Sequence, residues 1–469
     1  MTLRTFSIQT LGCKVNQYES EQVAVVLRGR GLVQVKASDA DLRIVNTCSV
    51  TTEAAAKSRQ ISRRMVSLPM LGSNDRSPEI SNHGHSGRVI VMGCWATSNP
   101  AEAMGLAGVD AILTHHDDVA GQLHRLLDEW TDQPFVSHAN TCTYGDIGPG
   151  TTQLPLLDQR QQAQQRAFIK IQDGCDAHCT YCIIPRLRPR LWSKPVDLVV
   201  EEAGRLVASG HQEIILSGIF LSAYGRETAL RRRQPKEDAL PLGDLITALC
   251  TRVPGLRRLR LSSLEPGDLT EDLIAVMRQY PQVVPHFHLP LQSGSDRLLR
   301  RMNRQYGRDD FLCMVDRVKS AFDRPALTTD IIVGFPGETD DDFDQTLRVV
   351  DHAQFIHVHA FAFSPRPGTA AARWTEDFVP VPISRQRLAV LSESAESHGY
   401  AYRQQYLGQT VELLVEQPRF NGPPSHGRCE RYFEVHFGPA DVRPGQAVKV
   451  RIENVTMGRT QGRIIHVLD

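Results

Sequence analysis

Apolar positions along the chain fall into short runs separated by amphipathic stretches, and the rhythm changes twice. Up to about residue 145, runs at 6–11, 42–46, 88–92 and 111–114 read as strands, while 19–27, 52–65, 102–106 and 119–130 carry a helical period. Strand–helix alternation of this kind predicts an open parallel sheet covered by helices. Asn99-Pro100 before Ala101-Glu102 reads as a helix start, with a cap residue and then Pro in the first turn. Residues 71–86, rich in Gly, Ser, Asn, Asp and His, read as a flexible surface insertion, and the polar, Gln-rich stretch 148–165 as a linker.

The second block repeats the strand–helix alternation. Strands are expected at 167–172, 213–218, 258–264, 286–291, 329–333 and 357–363, with helices such as 197–209, 269–280, 309–322 and 340–352 between them. Six such units predict an open or partial (β/α)6 barrel. From about residue 407 the strands shorten (410–416, 432–437, 447–454 and 462–467) and alternate with Gly- and Pro-containing turns. That pattern predicts a small antiparallel β-barrel. The expected fold class is thus α/β with a C-terminal β-barrel. Its domains are 1–147, a linker at 148–165, 166–402 and 403–469.

Composition narrows the function. The 469 residues are 41% hydrophobic, with no run approaching a membrane span, and the N-terminus lacks a signal peptide's apolar stretch. A cytoplasmic, reducing setting is expected, so the ten cysteines read as ligands, nucleophiles or core residues rather than disulfides. With 53 basic and 53 acidic residues, the molecule as a whole is no polyanion binder. Four local clusters break the balance: Arg186, Arg188, Arg190 and Lys194; Arg231, Arg232, Arg233 and Lys236; Arg257, Arg258 and Arg260; and Arg297, Arg300, Arg301 and Arg304. They are either solvated faces or a track for phosphates.

Cys175, Cys179 and Cys182 form a C-x3-C-x2-C loop directly after the first strand of the second block. Three thiolates in so short a loop can hold three irons of a [4Fe–4S] cube and leave the fourth open to a ligand. Zinc is the competing reading, with His178 as a possible fourth donor inside the loop. Cys13, Cys48 and Cys94 each sit at the C-terminal end of an expected parallel strand, the edge where open α/β sheets bind ligands. Gly12, Thr47 and Gly93 beside them keep the loops compact. Three unrelated buried cysteines would be the plain alternative; their equivalent placement instead points to a second three-cysteine cluster site. Cys250 and Cys313 fit amphipathic helices as core residues, and Cys142 and Cys429 carry no assigned role.

These triplets, in this order, resemble the methylthiotransferase branch of the radical S-adenosylmethionine (SAM) superfamily over nearly the whole chain. The resemblance rests on Thr10-Leu-Gly-Cys-Lys-Val-Asn-Gln-Tyr-Glu-Ser20, Asn46-Thr-Cys-Ser-Val50, Gly93-Cys-Trp-Ala96, the 175–182 loop with Tyr181, Leu261-Ser-Ser-Leu-Glu-Pro266, Leu289-Pro-Leu-Gln-Ser-Gly-Ser295, Asp330-Ile-Ile-Val-Gly-Phe-Pro-Gly-Glu338 and Phe363-Ser-Pro-Arg-Pro-Gly-Thr369. It implies two [4Fe–4S] clusters and SAM as cofactors. It also implies a tRNA anticodon stem-loop as partner, a reducing electron donor such as flavodoxin or ferredoxin, and no membrane association. By the same resemblance Tyr181, Ser217, Gly218, Glu265, Gln292, Ser293, Val333 and Gly334 contact SAM, and the last block is a TRAM-like RNA-binding barrel. Gly12-Cys13-Lys14-Val15-Asn16 resembles the subgroup that adds a methylthio group to N6-threonylcarbamoyladenosine beside the anticodon. The subgroups acting on isopentenyladenosine or on a ribosomal protein usually carry Gly-Cys-Gln-Met-Asn or Gly-Cys-Pro-Lys-Asn, and they remain the alternatives.

The chain departs from the family pattern at Pro189, where Gly is usual, at Lys194 for Arg, at Phe220 for Asn and at Ser222 for Gly. The insertion at 71–86 is a further departure. Pro removes a backbone donor, and Lys loses the two-pronged geometry of a guanidinium.

Overall fold

The computed structural model describes residues 3–68, 87–130, 154–158, 165–231, 240–418 and 423–468. The chain divides into two compact units, 1–158 together with 183–189, and 159–182 together with 190–469. The 71–86 insertion, most of 148–165, Cys142 and the Arg232–Arg233–Lys236 cluster lie outside the described residues.

In the first unit the elements run β1 (Thr5–Thr10), α1 (Lys14–Gly29), β2 (Val33–Gln34), β3 (Leu42–Thr47), α2 (Thr52–Ser67), β4 (Arg88–Gly93), α3 (Cys94–Ser98), α4 (Pro100–Met104), β5 (Ala111–Leu113), α5 (Val119–Trp130) and α6 (Ile184–Leu187). The sheet order is β2-β1-β3-β4-β5, parallel throughout. Phe6, Ile44 and Ile90 join Leu27, Leu123 and Leu127 in one core, and Val89 and Val91 join Trp95 and Ala103 in another. With apolar cores on both faces, β3 is buried along its whole length, as parallel strands are.

The helix expected at 19–27 begins five residues sooner, with Cys13 at its N-cap, because its polar first turn hides the period. The helix expected at 102–106 is two short ones. Asn99 makes no cap bond and instead accepts from Ser98, while Pro100 does occupy the first helical turn. The two-residue β2 is too short to leave a pattern.

The second unit opens with β6 (Ala167–Asp173), β7 (Trp192–Ser193), α7 (Val196–Ala208), β8 (Glu213–Gly218), α8 (Pro241–Arg252), β9 (Arg258–Leu261), α9 (Glu271–Gln279) and β10 (His286–His288). It continues with α10 (Asp296–Arg301), α11 (Arg308–Ala321), β11 (Ala326–Val333), α12 (Asp340–Ala353), β12 (His357–Ala362) and α13 (Val381–Gln404). Strands β6-β8-β9 pair in parallel, as do β10-β11-β12, and parallel bridges Leu259↔Val283 and Ser263↔His288 join the two sets. The six therefore form the expected partial barrel, with β7 antiparallel on the β6 edge. β9 and β10 end earlier than the apolar runs do; beyond β10, Pro290 has no amide to give a ladder. The 24-residue α13 was not anticipated. Its buried positions are Ser384, Arg387, Leu391, Ala395, Gly399 and Tyr402. They keep a helical spacing, but most are small or polar, so no apolar stripe marks the face.

The last strands are β13 (Thr410–Val415), β14 (His426–Cys429), β15 (Glu434–Phe437), β16 (Ala447–Val455) and β17 (Thr460–Leu468), closed in the order β13-β14-β15-β17-β16. The expectation of an antiparallel barrel is corrected in one respect: β15 and β17 pair in parallel. β14 is absent from the pattern because His-Gly-Arg-Cys has little strand character.

This barrel is tied into the rest of its unit by a buried polar layer. Arg258 and Arg260 both pair with Glu213, at 3.4 and 2.9 Å. The same two guanidiniums donate across to the carbonyls of Arg428 and Glu430, each at 3.3 Å. Arg257 forks onto Glu412 at 2.7 and 3.0 Å. Tyr432 stacks on His286 with ring centroids 4.4 Å apart, and Arg166, Arg260 and Arg428 lie over its ring.

Candidate active site: two cysteine triplets at strand ends

β1, β3 and β4 deliver Cys13, Cys48 and Cys94 to one edge of the first unit's sheet, and Asn16 is their common neighbour. Its Oδ1 lies 3.8 Å from Cys13 Sγ and 4.0 Å from Cys94 Sγ. Its Nδ2 donates to the carbonyls of Leu11 and Thr47, at 2.9 and 3.0 Å, which pins both loops. Ser58 brackets Cys48, accepting from its N–H at 3.0 Å and donating to its carbonyl at 2.9 Å. At Gly12 a Cβ would sit 2.9 Å from Cys48 Sγ, so only glycine lets the β1 turn close over that sulfur.

A buried charge chain backs Cys94. His115 Nε2 is 3.9 Å from Cys94 Sγ. Arg188 donates to that nitrogen at 3.0 Å and forks onto Glu19. Burial is the largest influence on the Cys94 thiol and pushes its pKa well up. Arg188 pulls it down, while Cys13, Cys48 and Glu19 push it further up. A metal cation on this sulfur would favour the thiolate and release its proton to solvent.

In the second unit the 175–182 loop follows β6 and is pinned from the far side by the segment after α10. Thr180 N–H donates to the Met302 carbonyl at 3.1 Å, and Asn303 Nδ2 donates to the carbonyls of Ala177 and His178 at 3.2 and 3.1 Å. Arg304 Nη1 donates to Cys179 Sγ at 3.2 Å, and its other nitrogen grips Glu265. Burial pushes the Cys175 thiol up to about 12, against the Ala177 N–H that favours the thiolate. The side chain of His178, the fourth donor a zinc site would need, is exposed. Both donor sets fit [4Fe–4S] clusters: three thiols on one hydrogen-bonded loop in the second unit, and three thiols at neighbouring strand ends in the first.

The other expected contacts fall around the barrel's strand ends. Tyr181 packs edge-on against Phe335. The Ser217 hydroxyl donates to the Ile169 carbonyl, and that of Ser293 faces Thr346 on α12. Gly218 lies against Gln172. Gln292 has φ 64° and exchanges backbone bonds with β11. Val333 is fully buried, and Gly334 N–H donates to Glu338 at 2.6 Å.

Several basic residues are neither solvated faces nor a phosphate track. Arg188, Arg258 and Arg260 are buried in ion pairs, Lys194 is buried 2.6 Å from Glu202, and Arg304 sits against Cys179. Lys194 thus serves an internal pair where the family pattern has Arg. Phe220, replacing Asn, packs against the small buried cluster of Ala177, Ala223 and Ala229 that Cys175 and Cys179 also border, and its N–H donates to Gln172. The sequence assigns no role to Asn16, His115 or Glu19, and places Arg304 only in a basic cluster. Asn16 and Glu19 lie inside the Thr10–Ser20 motif, whereas His115 leaves no signal there.

Residues 169–350 match the Radical SAM superfamily, and residues 5–114 match Uncharacterized protein family UPF0004. A partial barrel with a three-cysteine loop after its first strand, joined to that N-terminal sheet, defines a radical SAM enzyme. The threonylcarbamoyladenosine tRNA methylthiotransferase MtaB of Thermotoga maritima is 35% identical over 459 residues, 97% of this chain and 95% of that protein. The tRNA-2-methylthio-N(6)-dimethylallyladenosine synthase of Maricaulis maris is 33% identical over 471 residues, 99% and 98% of the two chains. The chain belongs to the radical SAM tRNA methylthiotransferase family, whose cofactors are SAM and [4Fe–4S] clusters. The solved structure of the radical SAM methyltransferase TsrM from Kitasatospora setae, with cobalamin and a [4Fe–4S] cluster bound, shares the fold. Its TM-score is 0.55 at 14% identity, covering 79% of this chain and 74% of that one. Among the described residues no helix is long and apolar enough to cross a membrane.

Proposed function

We propose that this enzyme adds a methylthio group to carbon 2 of N6-threonylcarbamoyladenosine, beside the anticodon of tRNA in the cytoplasm. The observation that carries this reading is the β1–α1 turn, Gly12-Cys13-Lys14-Val15-Asn16, which holds the first cysteine and Asn16 in the subgroup's pattern. The relatives named for threonylcarbamoyladenosine support it. Dimethylallyladenosine is the second reading, favoured by the Maricaulis relative at nearly the same identity.

In this reading Cys175, Cys179 and Cys182 hold the SAM-cleaving cluster, and Cys13, Cys48 and Cys94 hold the auxiliary one. When bound, the clusters supply the electron that cleaves SAM and the site where the donated sulfur is held. The chain's own residues position and tune. Arg304 places a cation and an N–H on Cys179 and is itself fixed by Glu265. Gln292, Val333 and Gly334 line the strand ends where SAM's nucleoside rests, with Tyr181, Gly218 and the backbones of Ser217 and Ser293 around its methionine end. Asn16 ties the loops of Cys13 and Cys48 together. Residues 1–147 form the auxiliary-cluster domain, 166–402 the radical SAM domain and 403–469 a TRAM-like barrel that grips the RNA backbone. An anticodon loop suits this chemistry because its bases are unpaired and can be splayed into a pocket. Electrons come from a small reducing carrier of the flavodoxin or ferredoxin kind.

The test is to incubate the anaerobically reconstituted enzyme with SAM, a reductant and tRNA bearing either threonylcarbamoyladenosine or isopentenyladenosine, then digest and identify nucleosides by mass spectrometry. Methylthiolated threonylcarbamoyladenosine is expected. Product from the isopentenyladenosine tRNA alone sinks the substrate reading and leaves the family assignment standing.

A further inference from the structure

We propose that His288, Asp330 and His359 form a divalent transition-metal site, separate from both cysteine triplets and independent of which nucleoside the enzyme modifies. The three residues lie on adjacent parallel strands, β10, β11 and β12. Register sets them side by side: His288 pairs with Thr328, two residues before Asp330, and Asp330 pairs with His359. A two-residue step keeps side chains on one face of a strand. One ligand atom from each residue therefore comes within 4.8 Å of the other two. Two imidazoles and one carboxylate suit borderline divalent ions such as Zn²⁺, Fe²⁺, Co²⁺ or Ni²⁺, and leave coordination positions for water or an anion.

The support around His288 is what such a site needs. Its Nε2 lies 3.2 Å from Asp330 Oδ2, and its Nδ1 lies 3.0 Å from Thr328 Oγ1. Thr328 Oγ1 also meets His286 Nε2 at 3.3 Å. A hydroxyl both donates and accepts. With no metal, His288 donates from Nε2 to Asp330 and accepts from Thr328 at Nδ1. With a metal on Nε2, the ring proton moves to Nδ1, Thr328 accepts it, and the hydroxyl turns its own proton to His286. Neutral His288 can thus take a metal with no net loss of a proton, its Nε2 bond to Asp330 giving way to ligation by both groups. An outer partner of this kind fixes the ring's direction and tautomer in metal sites generally.

An ion can reach the site from solvent. His359 is exposed, and His288 and Asp330 retain 15% and 31% side-chain exposure. His359 and His357 also line a cavity of about 430 Å³ that takes in Arg428, Tyr432 and His436 from the C-terminal barrel. Open coordination positions beside that cavity suit an oxygen ligand such as a phosphate. The neighbouring group Glu416, His426 and Glu434 is comparably close-set but different in kind. Arg428 reaches both of its carboxylates, at 3.4 and 3.6 Å, and Arg166 reaches Glu416 at 3.0 Å. Guanidiniums already occupy the place a cation would take, so that group is an ion-pair network.

The experiment uses the full-length protein with its clusters reconstituted, passed over a chelating resin and equilibrated with Zn²⁺. One equivalent of zinc should bind beyond the cluster metal, and X-ray absorption at the zinc edge should show nitrogen and oxygen ligands without sulfur. His359→Ala should abolish this zinc while iron content stays at the wild-type level. Thr328→Val should weaken it roughly ten- to a hundredfold, the usual effect of removing an outer partner. Glu434→Gln should retain it. Zinc with sulfur ligands, zinc that persists in His359→Ala, or no bound zinc would each overturn the proposal.

Discussion

Arg188 grips Glu19 with both prongs of its guanidinium, Nη1 to Oε1 at 2.7 Å and Nη2 to Oε2 at 2.9 Å, with both side chains almost wholly shielded from water. The residues are 169 positions apart in the chain, yet both belong to the first unit. Removing one partner of such a pair leaves a buried charge without compensation, which costs about 3–5 kcal/mol. Arg188→Met should therefore lower the unfolding midpoint clearly, and it should reduce iron retained by the N-terminal triplet because His115 and Cys94 lose their support. A thermal melt read beside an iron assay checks this; an unchanged melt would show that the pair contributes nothing.

Iron and acid-labile sulfide should separate the two triplets. Wild-type protein reconstituted under anaerobic conditions should hold about eight irons, and the Cys13→Ala/Cys48→Ala/Cys94→Ala variant about four. About four in both proteins would mean that the N-terminal cysteines hold no cluster, and the methylthio reading would go with them.

Arg304 offers a test of tuning. Its guanidinium brings a positive charge and an N–H donor to Cys179 Sγ, and both make an iron–sulfur cluster easier to reduce. Arg304→Gln should shift that cluster's midpoint potential to more negative values in an EPR-monitored redox titration, with its iron content kept. A potential that stays put or rises refutes the tuning role.

Gly93 ends β4 with φ 91° and ψ −161°, a region essentially reserved for glycine. A Cβ there would stand 2.3 Å from Asn46 Oδ1 and 2.6 Å from the Thr47 carbonyl oxygen. Gly93→Ala should destabilise the protein by at least about 2 kcal/mol, and the displaced β4 end should carry Cys94 out of register. Chemical denaturation with an iron count measures both effects.

Glu213 should contribute acid sensitivity. Burial alone would raise its pKa and is the largest single influence, but Arg260, Arg258 and Arg166 together outweigh it and hold the carboxyl at about 2. Because the folded value lies below the unfolded one of 4.5, the stabilisation is fully present above about pH 4.5. It fades as pH falls toward 2. At about 1.4 kcal/mol per unit, the loss amounts to about 3 kcal/mol. Glu213→Gln should flatten this part of the stability–pH curve while lowering the plateau at neutral pH. Denaturation midpoints across that window decide it.

Where the sequence was informative, one chemical rule dominated locally. Runs rich in apolar residues marked the parallel strands, and their C-terminal ends then placed Cys13, Cys48 and Cys94 at equivalent positions. Where it was silent, the decisive contacts join distant residues. Nothing near Arg188 reveals Glu19, and a run of arginines gives no hint that Arg258 and Arg260 are internal while Arg257 is only half-buried. Helix α13 escaped because close packing selected Ser, Ala and Gly for its inner face. β14 escaped because the barrel's hydrogen bonds, rather than side-chain preference, make it a strand. The residues expected to contact SAM illustrate a different limit: motifs name Ser217 and Ser293, but only three dimensions show their hydroxyls directed toward Ile169 and Thr346.

The polar layer between Glu213, Arg258, Arg260 and Tyr432 has a practical corollary for how the C-terminal barrel can be studied. Cutting the chain before β13 would do more than remove the proposed nucleic-acid grip. It would strip the Arg428 and Glu430 carbonyls from two guanidiniums and lift an aromatic lid from His286. A truncated enzyme that lost activity would thus be reporting damage to the floor of its catalytic barrel as much as the absence of the proposed RNA-binding module. Point substitutions on the outer strands, at exposed Lys449 or Arg463, are the cleaner way to separate the two.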